Sequence, residues 1–307
     1  MSRTTTRLTA SVAACLAAGL SVGACAAASS SGSAAGAAPD AGAPVIDAAR
    51  PPVAYRGTRA VEFGGVRVNV VVDKPARDAV DALVVYHGTV GRDALVPDAA
   101  QRTLDEFRAL LGDRDDVMIV SVAYPEEGLL FGDNVREAEA ALLWVKRAAS
   151  AELDVRIDRV FLGGHSQGGY LVTRLNTLHE VDGVVANAPG PLDLVYRCGL
   201  EERGEEAASA TCTRLRATFG TTTTNAEAYA SRSLLRFTRG HRSKLLVVQG
   251  LADSPIQLRS WPLFRADLEA CVDCRARTFL ELAGLEHAAL FRSPEAQAAF
   301  VAFLRAP

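Results

Sequence analysis

The chain has 307 residues, close to the upper limit for one hydrophobic core, and 49% of them are hydrophobic, which suffices for a packed interior. Charged residues make up 22% and the formal net charge is −3. This balance argues against nucleic acid as a partner and against a polybasic contact with membranes.

The first 25 residues have the pattern of an export signal. Two arginines precede an apolar run at 8–22, which is shorter than the ~20 residues of a membrane span. The run ends in LSVGAC at 20–25, which resembles the lipobox of bacterial lipoproteins. The resemblance implies that Cys25 is lipidated and anchors the protein to a membrane in the cell envelope. The alternative is an ordinary secretory signal, cut after one of residues 26–28, and a secreted protein.

Residues 26–52 contain almost only Ala, Ser, Gly and Pro. Such a composition offers too little apolar surface to offset the entropy of ordering, so we predict a disordered tether. The folded domain is then expected at 53–307.

Within that domain, short apolar strands alternate with amphipathic helices. In chain order, the sequence predicts strands at 59–63, 67–73 and 82–86, a helix at 98–111, a strand at 117–123, a helix at 134–149, a strand at 159–163, a helix at 168–178, strands at 183–188 and 244–249, a helix at 258–271, a strand at 277–282 and a helix at 294–304. This alternation predicts an α/β fold, with a mostly parallel sheet covered by helices on both faces. The first two strands, joined at Gly64-Gly65, are expected to form an antiparallel edge.

Residues 195–242 break the alternation with a cluster of acidic residues, a Thr run and two cysteines. We interpret this segment as a cap insertion over the carboxyl ends of the strands, where open α/β sheets bind ligands.

Four cysteines belong to the predicted domain: Cys198, Cys212, Cys271 and Cys274. An even number in an exported protein indicates disulfides, and the most local pairing joins Cys198 to Cys212 and Cys271 to Cys274. The competing interpretation of 271–274 as half of a metal site lacks a second pair of this kind, so we predict no metal.

The sequence GHSQG at 164–168 lies between a predicted strand and a predicted helix. This context is the nucleophile elbow of the G-x-S-x-G pattern, which predicts Ser166 as a catalytic nucleophile. Glycines at 164 and 168 allow the sharp turn. His165 is expected to pack beneath the elbow rather than to act as the base.

A serine hydroxyl needs a base, an acid behind the base, and donors for the oxyanion. In this kind of fold the base follows the acid in the chain. His287 lies in a loop after the last predicted strand, at the same edge as the elbow, whereas His179 and His241 are expected away from it. We therefore predict His287 as the base.

The acid is expected after the strand that precedes the base. Asp253 meets this condition, and Asp193 is the alternative. For the oxyanion hole we predict the backbone N–H of Gln167 and, in the loop after the third strand, that of Thr89.

Together with His87-Gly88, Asp253 and His287, the run IDRVFLGGHSQGG at 157–169 resembles exported serine esterases of the α/β-hydrolase superfamily, in the dienelactone-hydrolase, polyhydroxyalkanoate-depolymerase and prolyl-oligopeptidase-like groups. The resemblance implies ester or amide hydrolysis through an acyl-enzyme and does not single out a substrate. We expect carboxylic-ester hydrolysis, on a small-molecule or polymeric ester. The alternatives are a peptidase of prolyl-oligopeptidase type and a non-catalytic envelope protein on the same fold. The mechanism requires no metal or organic cofactor, and we predict none.

Overall fold

The structure is a computed structural model that describes residues 51–306. The predicted signal, Cys25 and the predicted tether up to residue 50 lie outside the described residues. No helix between residues 51 and 306 combines the length and the apolar character needed to cross a bilayer.

The structure has a strand or helix at every position where the sequence predicts one in the domain. The strands are β1 (Tyr55–Phe63), β2 (Val66–Lys74), β3 (Ala79–Tyr86), β4 (Val117–Ala123), β5 (Arg156–His165), β6 (Gly183–Asn187), β7 (Leu245–Gly250) and β8 (Arg277–Leu282). The α-helices are α1 (Val96–Leu111), α2 (Val135–Arg147), α3 (Ala149–Leu153), α4 (Gln167–Leu178), α5 (Leu194–Glu202), α6 (Ala210–Phe219), α7 (Ala226–Ala230), α8 (Pro255–Glu269) and α9 (Pro294–Arg305).

Two predicted helices differ from the structure at their ends. The helix predicted at 134–149 stops at Arg147, because Ala148 leaves helical geometry (φ −125°) before the short α3 begins. The helix predicted to reach Cys271 ends at Glu269, and Cys271 instead starts a tight loop that a disulfide to Cys274 closes.

The eight strands form one sheet in the order β1-β2-β4-β3-β5-β6-β7-β8. From β4 to β8 along this order all neighbours are parallel. β1 is antiparallel to β2, and β2 is antiparallel to β4, so the expected antiparallel edge is present. The mostly parallel sheet predicted from the sequence is therefore confirmed.

Both faces of the sheet are covered. On one face α1 and α9 pack through Phe107 and Phe300, whose ring centroids lie 5.9 Å apart. On the other face α2 and α4 bury Leu142 and Leu171. Each fully buried side chain of this size contributes about 1.5–3 kcal/mol. The two cores hold the strands rigidly, so their carboxyl ends form a fixed platform.

The segment between β6 and β7, where the sequence predicts the cap insertion, contains α5, α6 and α7. It has a small core of its own that includes Leu194, Leu215 and Tyr229. A disulfide between Cys198 and Cys212 joins α5 to α6 within this core. With the Cys271–Cys274 disulfide, the structure thus pairs the cysteines as the most local connectivity does.

Candidate active site

Ser166 lies at the turn between β5 and α4, the strand and helix that the sequence pattern requires on its two sides. Its φ of 56° is in the left-handed region, which non-glycine residues rarely occupy. Such strain persists only where the surrounding structure enforces it, and it concentrates at functional sites. The turn is held by hydrogen bonds from Ser166 N to Asn187 O (3.0 Å) and from Tyr170 N to Ser166 O (3.0 Å).

The two glycines of the elbow are required by close backbone contacts. A Cβ on Gly164 would lie 2.2 Å from the Gly168 carbonyl oxygen, and a Cβ on Gly168 would lie 2.0 Å from the Tyr86 carbonyl oxygen. No side chain fits at such distances. The glycines of the motif thus let α4 start directly against β3 and β5, which brings its first N–H groups beside Ser166.

Asp253 and His287 come together at the carboxyl ends of β7 and β8. His287 Nδ1 lies 2.8 Å from Asp253 Oδ2. Since a carboxylate only accepts hydrogen bonds, Nδ1 carries the proton and Nε2 is left as the basic nitrogen. The Asp253 side chain is almost fully buried, whereas that of His287 is 42% exposed. This pair has the geometry of an acid that orients a general base.

Ser166, Asp253 and His287 all line one cavity of about 610 Å³. Within the described residues the Ser166 hydroxyl forms no hydrogen bond, so the structure shows the acid–base pair closed and the base–nucleophile contact open. In unliganded hydrolases this second contact is often loose and tightens with substrate.

The environment of Asp253 keeps its carboxylate charged. Burial acts to raise its pKa, but hydrogen bonds from His287 and Gln249, together with the charge of His287 and the N–H of Ser254, outweigh burial and lower the pKa. The Gln249 amide donates to Asp253 Oδ2 at 3.0 Å, and Ser254 N donates to Oδ1 at 2.6 Å. The acid is therefore an ionised acceptor at neutral pH.

Asn187, the last residue of β6, connects the elbow to the loop of His287. Its Nδ2 lies 2.8 Å from His165 Nδ1 and 3.2 Å from the His287 carbonyl oxygen, and its Oδ1 accepts from Leu290 N at 3.1 Å. Asn187 is fully buried. Its amide therefore ties the elbow at His165 to the backbone at His287 and Leu290.

His165 lies beside the base rather than apart from it. Its ring centroid is 4.9 Å from that of His287. Burial, and then the positive charge of His287, lower the pKa of His165 to about 4. A neutral ring in this position adds no charge that would oppose the protonation of His287.

Of the two predicted oxyanion donors, Thr89 lines the cavity of Ser166 and Gln167 follows Ser166 in the chain. Gln167 is the first residue of α4, and the Thr89 hydroxyl donates to Gln167 Oε1 at 2.7 Å, which brings the two residues together across the site. Within residues 51–306 neither backbone N–H donates to an acceptor. Their role as oxyanion donors stays a prediction from the sequence.

The loop that carries Thr89 is held from behind by a buried carboxylate. Glu126 accepts hydrogen bonds from Val90 N (3.0 Å) and Gly91 N (2.9 Å). His87, at the start of this loop, stacks on Tyr124 with ring centroids 4.0 Å apart. Burial lowers the pKa of His87 to about 4, so its ring is a neutral packing group.

The alternative candidates lie in other surroundings. Asp193 lines the cavity, but its carboxylate caps α5 by accepting from Tyr196 N at 3.0 Å. His179 pairs with Glu139 at the end of α4, and His241 is fully buried near Phe237. His287 is thus paired with Asp253 and not with Asp193, and neither His179 nor His241 is among the residues that line the cavity of Ser166.

Three residues that the sequence interpretation passed over support the site: Asn187, Gln249 and Glu126. Asn187 and Gln249 end or nearly end otherwise apolar buried strands. A polar residue at the carboxyl end of such a strand is a signal that the sequence does carry. Glu126 has no such local signal, because it acts on a loop 36 residues away.

The chain matches no protein-family model and no curated protein sequence. Solved structures do resemble it. An esterase of Rhizomucor miehei shares 15% identity at a TM-score of 0.59 and covers 83% of this chain and 84% of its own. A thermophilic carboxylesterase cloned from a metagenomic library shares 24% identity at a TM-score of 0.57, covering 84% of this chain and 92% of its own.

The acylaminoacyl peptidase of Pyrococcus horikoshii shares 11% identity at a TM-score of 0.58 and covers 82% of this chain. The present chain spans only 41% of that peptidase's length. At these identities the likeness concerns the fold, and it agrees with the sheet order and the covered faces described above. The chain has an α/β-hydrolase fold.

Proposed function

We propose that the protein is a serine hydrolase that cleaves carboxylic esters through an acyl-enzyme on Ser166. The observation that carries this proposal is the Asp253–His287 hydrogen bond at the same cavity as the strained elbow serine. Folding alone does not require the Asp253–His287 hydrogen bond and the strained Ser166 to lie at the same cavity. The esterases among the structural neighbours support the same direction.

In the proposed reaction His287 Nε2 takes the proton of Ser166 as Oγ attacks the ester carbonyl carbon. The N–H groups of Gln167 and Thr89 stabilise the oxyanion of the tetrahedral intermediate. When this intermediate collapses, the bond between the former carbonyl carbon and the alcohol oxygen breaks. His287 gives its proton to the leaving alcohol oxygen. Water then attacks the acyl-enzyme, again with His287 as base, and releases the acid.

Amide substrates are the second candidate. The fold likeness to acylaminoacyl peptidase favours them, and the same residues perform both reactions. Amides depend more strongly on protonation of the leaving group by His287, because an amine is a poorer leaving group than an alcohol. Matched para-nitrophenyl esters and para-nitroanilides of the same acyl groups separate the two: ester turnover with no anilide turnover assigns the enzyme to esters.

The test is covalent labelling with a fluorophosphonate probe. Wild-type protein should be labelled at Ser166, and Ser166→Ala should not be labelled and should lose on the order of 10⁴-fold or more in ester turnover. Ser231→Ala, which removes an exposed serine that is not among the residues lining the cavity, is the matched control and should retain labelling. Equal labelling of wild type and Ser166→Ala contradicts the proposal.

A further inference from the structure

The cavity of the proposed active site has one wall that comes from the segment between β6 and β7. This wall includes the start of α5 and the amino-terminal end of α6. Among the lining residues in the described part of the chain, Arg197 is the only lysine or arginine. The cavity that contains Ser166 therefore presents one permanent positive charge to a substrate.

Arg197 is held from one side and left open on the other. Its Nε lies 3.3 Å from Glu201 Oε1, and the Glu201 side chain is completely buried. The terminal guanidinium nitrogens donate to no acceptor within residues 51–306, and the side chain is 34% exposed. The contact is an ion pair without hydrogen-bond geometry, since Glu201 Oε1 accepts no hydrogen bond within the described residues. The outer guanidinium nitrogens of Arg197 are therefore the groups available for a bidentate contact.

The support behind Arg197 is rigid. The next residue, Cys198, forms the disulfide to Cys212 of α6. Glu201 also accepts from Ser209 N at 2.9 Å, which ties it to the same helix. The disulfide and this hydrogen bond therefore restrain the backbone that carries Arg197, so that a ligand which binds there need not order this segment.

Three carboxylates also line the cavity, and two of them are already engaged. Asp193 caps α5 and Asp253 is bonded to His287. The third, Glu286, belongs to an exposed loop next to His287. Asp253 and Glu286 place negative charge beside His287, so a substrate anion is disfavoured there. Asp193 keeps its charge while it caps α5, and Arg197 is the lining cation that can pair with a substrate anion.

We propose that Arg197 binds a carboxylate on the substrate, so that the preferred substrates are esters that carry a second, ionised carboxyl group. The inference rests on the proposed function of Ser166 and adds the substrate class. The carboxylate can belong to the acyl part or to the alcohol part of the ester, and both present the same chemistry to a guanidinium.

The experiment compares neutral and anionic esters of matched size. For the acyl side the pair is para-nitrophenyl hexanoate and mono-para-nitrophenyl adipate. For the alcohol side it is the para-acetylphenyl and para-carboxyphenyl esters of butyric acid. In wild type, kcat/KM should favour the anionic member of one pair, and that pair identifies the side.

Arg197→Gln should lower kcat/KM for the favoured anionic ester by about 10- to 100-fold, mainly through KM, and leave the neutral partner within about twofold. Arg197→Lys keeps the positive charge but loses the two parallel N–H groups of the guanidinium. It should retain part of the preference for the anionic ester. Arg203→Gln, which removes an arginine that pairs with Glu205 outside the cavity, is the matched control and should change neither ester.

Removal of Arg197 alone leaves Glu201 buried without its counter-charge, which can impair folding. The double variant Arg197→Gln/Glu201→Gln removes both charges, and it should fold and show the same loss of preference. Equal kcat/KM for charged and neutral esters in wild type, or equal loss of both in Arg197→Gln, overturns the inference. Ester turnover that survives Ser166→Ala overturns the proposed function instead.

Discussion

Glu126 holds the loop that carries Thr89, the residue predicted as the second oxyanion donor. Its buried carboxylate accepts from the backbone of Val90 and Gly91, while Asp93 Oδ1 in turn accepts from Glu126 N and Glu127 N at 2.8 Å each. Two loops are thus fixed to each other by reciprocal hydrogen bonds. Burial raises the pKa of Glu126 even though the hydrogen bonds from Gly91 and Val90 oppose the shift.

Glu126→Ala should lower kcat by about 10- to 100-fold with little change in KM. Removal of an oxyanion donor lowers kcat by about 10²- to 10³-fold, and this substitution only loosens the loop that carries the proposed donor Thr89. Glu126→Gln keeps one acceptor oxygen, so its kcat should lie between those of wild type and Glu126→Ala. The readout is the affinity of a boronic-acid transition-state analogue, which should fall in parallel with kcat/KM.

The exposed Glu62 of β1 offers a control for this change, and Glu62→Ala should leave kcat and the analogue affinity unaltered. A Glu126→Ala protein with full kcat and only a lower melting temperature would show that Glu126 stabilises the fold without positioning Thr89.

At the scale of elements, the unit β5–turn–α4 positions Ser166, the proposed nucleophile. Its geometry depends on helix α4 starting in backbone contact with the neighbouring strand β3, at the carbonyl of Tyr86. The turn stores strain at Ser166, and the buried surroundings of Tyr170 and Leu171 hold it in place. The position of Ser166 thus depends on close backbone contacts that only glycine allows at 164 and 168.

Gly168→Ala should destabilise the protein by about 3 kcal/mol or more and abolish esterase activity, because the new Cβ would lie 2.0 Å from a carbonyl oxygen that cannot move independently of β3. Urea denaturation and ester turnover measure the two effects. Gly199→Ala in α5 meets only the flexible end of Arg203 (3.2 Å) and the Thr222 hydroxyl, so it should be neutral or stabilise by up to about 1 kcal/mol. A stable, active Gly168→Ala protein would contradict the packing of the elbow.

At the scale of the whole molecule, three histidines are buried in a neutral state. Burial is the main cause that lowers the pKa of His87, His165 and His241 to about 4 each. The unfolded chain takes up protons on these rings near pH 6.5, whereas the folded protein does so only near pH 4. Their contribution to the free energy of unfolding is therefore constant above about pH 7 and falls as the pH drops from about 6.5 to 4.

The expected slope in that window is about 1.4 kcal/mol per pH unit for each ring. Urea denaturation at several pH values between about 7 and 5 measures it. His241 is not among the residues that line the cavity of Ser166. His241→Gln should lower the slope of the unfolding free energy against pH by about the amount that one histidine contributes. Leu268→Ala, a core truncation without a titrating group, should lower stability at every pH and leave the slope unchanged. An unaltered slope in His241→Gln would contradict the buried neutral state.

Local signals in the sequence were sufficient for the alternation of strands and helices and for the elbow around Ser166, because hydrophobic period and glycine sterics act between near neighbours. The rule that parallel strands present their carboxyl ends at one edge then led to Asp253 and His287, which the structure places 2.8 Å apart. The helices α5 to α7 escaped prediction, since their apolar positions are few and their core is closed by a disulfide rather than by a long amphipathic face.

The sequence by itself determined the mostly parallel sheet and the identity of the three candidate catalytic residues. Only the tertiary structure decided what surrounds them: Asn187 bonds to the loop of a histidine 100 residues away, and Glu126 holds a loop 36 residues before it. Arg197 likewise belongs to the wall of the cavity only after α5 has folded against the sheet edge. Such contacts depend on how distant segments pack, and no local pattern of residue types encodes them.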